Sequence, residues 1–169
     1  MQRTIIDKHG RRVVVINSIS FRGKQHINWD DVELFLKKYV GQSATVSESS
    51  DVICIERDFP AEYKGSLDTT RLRGGNAKAK ANAATVLIEL IENATNKRWQ
   101  ENHKDKHSED AKYGWYRFTS RFALPVFSNA EKIERYNIYR IEVLTRVGAD
   151  ERLYLYDLVN IKKETSTPF

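Results

Sequence analysis

Residues 12–21 hold a run of β-branched side chains, Val13, Val14, Val15 and Ile16 followed by Ile19, which reads as a first strand. From Trp29 the spacing changes. Trp29, Val32, Phe35, Leu36 and Tyr39 recur every three or four positions and predict a helix over residues 29–40 with one apolar stripe. Asn28 stands where an N-cap accepts from an unpaired backbone N–H, and Asp30, Asp31 and Glu33 suit the positive end of the helix. Lys37 and Lys38 fall in its last turn, and Gly41 suits a left-handed closing position. Residues 42–50 read as a polar connector, 51–56 as a short strand with Val52 and Cys54 on one face, and 57–66 as a loop broken by Pro60 and Gly65. The alanine-rich residues 76–100 predict a long helix with Ala83, Leu87, Leu90, Ile91 and Ala94 on its apolar stripe. Residues 93–96 leave open a break in it.

Beyond Asp110 the period shortens to two. Residues 113–127 are aromatic-rich and strand-like, with Pro125 pointing to an edge or a bulge. Along residues 134–146, Tyr136, Ile138 and Arg140 alternate with Asn137, Tyr139, Ile141 and Val143. Residues 148–150 signal a hairpin, 152–162 a further strand, and 161–168 a frayed tail. The expected fold class is α+β: an N-terminal strand and helices packed on a C-terminal antiparallel β-meander. One domain spans 1–169, with 1–49 as a small N-terminal lobe and 50–169 as a helix-plus-meander core.

Composition narrows the function classes. The 169 residues carry 28 Lys+Arg against 23 Asp+Glu, a net charge of +5. A single cysteine, Cys54, excludes an internal disulfide framework and a cysteine-cluster zinc site. The longest aliphatic run, residues 13–16, is far short of a membrane span, and no apolar leader follows Met1, so the expected location is the cytoplasm. No P-loop, GxGxxG, GxSxG or HExxH motif occurs, and no cofactor is expected.

The position of the charge says more than its sum. Residues 64–80 contain Lys64, Arg71, Arg73, Lys78 and Lys80 against the single acid Asp68, a distribution that suits a phosphate backbone. Gly74 and Gly75 precede a helix, where backbone N–H groups can cradle a phosphate. His103 and His107 are spaced i, i+4 and share a helix face. That spacing suits a metal only with a third ligand; alternatively, one histidine takes or gives the 2′-hydroxyl proton in metal-free RNA cleavage. On the meander, Arg117, Arg121 and Lys162 are candidates to stabilise a pentavalent phosphorane, with Thr165 positioning substrate. Tyr116 is placed to stack an unpaired base, and Arg140 to hold a phosphate. Against each stands the plainer reading of a solvated charged surface or a core aromatic.

The runs 58–63 (Asp-Phe-Pro-Ala-Glu-Tyr), 77–82, 112–118, 121–126, 153–157 and 161–165 together resemble a large polyvalent protein-associated domain of phages and conjugative elements. The resemblance covers almost the whole chain and implies a mobile-element protein acting inside a bacterial host cell. At the level of fold alone, a helix followed by a meander also resembles the barnase–EndoU–colicin–RelE group of metal-independent ribonucleases. The sequence departs from that group: it shows no widely spaced EndoU-like histidine pair and no assignable barnase-like glutamate. The leading expectation is an endoribonuclease-like module acting on RNA. The alternative is a non-catalytic protein that binds a host nucleoprotein complex and blocks a nucleic-acid-directed defence of the anti-CRISPR or anti-restriction kind.

Overall fold

The computed structural model describes residues 3–23, 26–101 and 113–168. The chain runs β1 (Arg3–Ile6), β2 (Arg12–Val15), α1 (Trp29–Leu36), β3 (Ser43–Thr45), β4 (Val52–Cys54), α2 (Phe59–Gly65), α3 (Leu67–Arg71), α4 (Gly74–Ala83), α5 (Leu87–Glu92), β5 (Thr95–Gln100), β6 (Trp115–Phe127), β7 (Ile133–Val147) and β8 (Leu153–Pro168). Short 3-10 turns follow α1 and join α4 to α5, so the helices fall in three stretches, residues 29–39, 59–71 and 74–92.

The strands form one sheet in the order β1-β2-β6-β7-β8-β4-β3, with β5 also paired to β6, and the sheet curls into a half-barrel. The three long strands β6, β7 and β8 do pair antiparallel in sequence order. The expected simple antiparallel meander is nevertheless incorrect, because β2 lies parallel to β6 (Val14 opposite Phe122) and β4 lies parallel to β8 (Ile53 opposite Leu153). The sheet is therefore mixed. β2 and β4 fall within the two segments read as strands, but their parallel neighbours are reached through long crossovers that no local period reveals, and β1 and β3 are only three or four residues long.

Other local expectations are corrected in the same way. Residues 59–65 form helix α2, with Pro60 in the first turn, where its fixed φ and missing N–H cost nothing. The long alanine-rich helix stops at Glu92, Asn96 takes a positive φ of 59°, and residues 95–100 form β5. Residues 161–168 continue β8 and are not a frayed tail. The first helix matches its expectation: Asn28 accepts from the backbone N–H of Asp30 and Asp31, and Gly41 has φ +91°.

Along β6, Phe118, Phe122 and Leu124 face the helices and join a main core that runs from Val14 to Ile161. Arg117, Thr119, Arg121 and Ala123 alternate onto the opposite face. Helix α4 lies at the centre of the helical layer. Ala77, Ala79, Lys80, Ala81, Asn82 and Ala83 are all buried, which explains the alanine: small side chains let the backbone approach neighbours on every side. Asn82 is fully buried and its amide is used in full. Its Oδ1 accepts from the N–H of Ser20 (2.9 Å) and Phe21 (3.0 Å), and its Nδ2 donates to the carbonyls of Phe21 (3.0 Å) and Lys78 (2.8 Å). The loop that leads to Arg22 is thereby fastened to the helix. Among the described residues, no helix is long and apolar enough to cross a membrane.

Candidate nucleic-acid interface

Helix α4 is preceded by Arg73, an extended N-cap (φ −139°, ψ 157°) with no side-chain hydrogen bond to the first turn. Gly74 follows at φ +57°, in the left-handed region where glycine is unstrained. The guanidinium of Arg73 turns back onto the carbonyls of Thr70 and Leu72, both at 2.7 Å, and this fixes its charge beside the start of the helix.

Two adjoining clefts open at this point. One, of about 560 Å³, is lined by His26, Trp29, Arg73, Gly74, Gly75 and Lys78 among others. The second, of about 500 Å³, includes Arg22, Lys78, Phe127, Arg135, Asn137 and Tyr139. Gly23, Gly75 and Lys78 line both, so the clefts form one groove past the end of α4. Among the described residues, no Asp or Glu lines either one. Elsewhere the clefts carry acids: Glu48 and Glu92 in one of about 440 Å³, and Glu56, Asp58 and Glu62 in one of about 350 Å³.

The floor of the second cleft is apolar, formed by Ile19, Leu124, Pro125 and Val126, and Tyr139 stacks on Phe122 with ring centroids 5.4 Å apart. Burial raises the pKa of the Tyr139 hydroxyl, and its hydrogen bond with Asn137 opposes that shift. The groove is therefore ringed by positive charge, with aromatic and aliphatic surface beneath.

The basic residues expected to bind nucleic acid part company here. Arg73 and Lys78 meet in the groove. Lys64 instead bridges Asp30 (2.5 Å) and Glu33 (3.5 Å), and its hydrogen bond to Asp30, then the charge of that carboxylate, raises the lysine pKa. Arg71 is exposed at the end of α3. Tyr116 is half-buried against the main core, with the Lys97 ammonium 4.3 Å from its ring centroid.

Lys80 does not belong to a nucleic-acid surface, contrary to its expected role. It is wholly buried, with Nζ 2.9 Å from Asp68 and 3.0 Å from Asp157. Burial pushes the Asp157 pKa up to about 6, against the pull of Lys80. The Tyr63 hydroxyl donates to the Lys80 carbonyl. In the sequence Lys80 looks like one more surface cation; only the burial of α4 on all sides makes it a core residue.

The candidates for catalysis that the structure describes lie on the sheet face away from the helices. Arg117 pairs with Glu142 (2.9 Å) and Gln100 (3.0 Å), and Arg121 with Glu164 (2.8 Å). Strand register sets Arg121 opposite Arg140 and Arg140 opposite Lys162, which brings those three together. Thr165 is exposed further along β8, opposite Ile138 of β7. His103 and His107 lie outside the described residues. Among the described residues, no group of three His, Cys, Asp or Glu side chains is arranged to hold a metal.

Sequence reasoning missed Arg22, His26 and Arg135 as groove residues. The basic loop around Arg22 was the available signal, but its distance from α4 in the chain hid their proximity. Compared with protein-family models, with curated proteins and with solved structures, the chain matches none.

Proposed function

We propose that this chain binds single-stranded RNA along the groove at the start of α4, as an accessory module of a phage or mobile element. The observation that carries the reading is the sign of the groove: Arg22, Arg73, Lys78 and Arg135 line it with His26, and among the described residues no carboxylate does. Clustered cations release counterions from a phosphate backbone, and the first-turn N–H groups of α4 add a fixed positive field. The apolar floor suits an unpaired base, which a duplex does not present. The mobile-element setting rests on the resemblance in the sequence runs alone.

Fluorescence anisotropy with a labelled single-stranded oligoribonucleotide, run in EDTA across a salt series, tests the proposal. Affinity should fall linearly with salt on logarithmic axes, by about 0.7 per phosphate contacted. Arg73→Gln with Lys78→Gln should weaken binding and flatten that slope. Equal binding by the double variant, or no binding at low salt, would refute the reading. A gel of the same samples shows whether the bound RNA is also cut.

A further inference from the structure

The sheet face opposite the helices carries a second cluster of positive charge. Arg121, Arg140 and Lys162 stand directly across from one another on β6, β7 and β8. Like charges in that relation destabilise a sheet. Among the described residues, one carboxylate serves the cluster: Glu164 receives the Arg121 guanidinium at 2.8 and 3.4 Å and has Arg11 at 3.9 Å. Burial acts to raise the Glu164 pKa, but the hydrogen bond and charge of Arg121, with Arg11 and Arg140, hold it below the usual range. Arg140 and Lys162 have no ion-pair partner within 4 Å among the described residues, and the Nε of Arg140 is buried there without an acceptor. Lys162 is exposed.

We infer that this row is a second anion site, which takes a phosphate dianion between Arg140 and Lys162. A guanidinium presents its N–H donors as a planar fork that fits phosphate oxygens, and an ammonium supplies a point charge beside it. Two added negative charges would relieve the repulsion along the row. The site lies on the opposite face from Arg135, Asn137 and Tyr139, since side chains alternate along β7. It therefore stands apart from the groove and does not depend on it. Its ligand is a phosphomonoester, either free or at the end of a nucleic acid.

The test is a titration of the full chain with inorganic phosphate, followed by the arginine Nε–Hε signals in a proton–nitrogen NMR spectrum. The Arg140 signal should shift saturably, and chloride at equal ionic strength should leave it in place. Lys162→Gln and Arg140→Lys should each weaken phosphate binding about tenfold, the scale of one charge-assisted hydrogen bond. Glu164→Gln should tighten binding, because it removes the anion that competes for the row. Arg73→Gln with Lys78→Gln should change nothing here. No saturable shift, an equal response to chloride, or full affinity in Lys162→Gln would overturn the inference. A nucleoside monophosphate and a 5′-phosphorylated oligonucleotide, each against its unphosphorylated form, then separate the two sources.

Discussion

Lys80→Met removes the charge at the centre of the buried cluster while keeping an unbranched side chain of similar length. Lys80 is wholly buried, and both carboxylate contacts lie near 3 Å. At an effective dielectric of 20, each contact carries an attraction of roughly 5 kcal/mol, most of which offsets the cost of dehydrating the ions. Breaking such a pair on one side typically costs about 3–5 kcal/mol, because the remaining charge stays buried and alone. We expect a loss of that size at pH 8, read from urea unfolding followed by tryptophan fluorescence. The loss should shrink at pH 5. The Asp157 pKa of about 6 is already raised by burial and held down by Lys80, so without the lysine it rises further and the acid is neutral at pH 5. A loss below about 1 kcal/mol, or one that does not change between those pH values, would refute the account of the cluster.

Asp157→Asn isolates the pH dependence of wild type. A folded pKa of about 6 against the ordinary value of 3.8 means that the folded state holds the proton more tightly, so stability from this group is complete below about pH 4 and lost as pH rises to about 6. Over that window, wild type should lose about 3 kcal/mol relative to the variant, measured by denaturant unfolding at each pH. Asn82→Ala leaves the N–H groups of Ser20 and Phe21 without their acceptor and should cost about 1–3 kcal/mol. It should also speed hydrogen exchange in that loop and weaken RNA binding through Arg22. Gly74→Ala meets no atom within 4 Å but must hold φ +57°, so it should lower stability by about 1–2 kcal/mol in thermal unfolding.

How far the fold is legible in the sequence depends on the length over which a pattern repeats. Asn28, the stripe of α1 and the three long strands each rest on a local rule, and each is readable. The short strands β1 and β3 are not, and although β2 and β4 are readable as strands, their parallel pairing is not, because it is decided by residues far away in the chain. The same distinction divides the basic residues. Arg73 and Lys78 are legible as cations beside a glycine-led helix start, whereas Lys80 shares their composition and differs only in burial. Arg22 and Arg135 meet through the fold, across more than a hundred residues, and no local window contains both.

Helix α4 makes three different commitments at alternate positions. Lys78 lines the groove, Lys80 is tied into the ion cluster, and Asn82 holds the loop of residues 20–21. At about 100° per residue, Lys78 and Asn82 lie about 40° apart on one side of the helix and Lys80 about 200° from Lys78, so the constraints act from two opposite sides. Turning or sliding the helix would break all of them together. The backbone wall of the groove thus inherits its rigidity from the core, and of the cations along it Arg73 is held in place by the carbonyls of Thr70 and Leu72, which lowers the ordering cost of binding at that point.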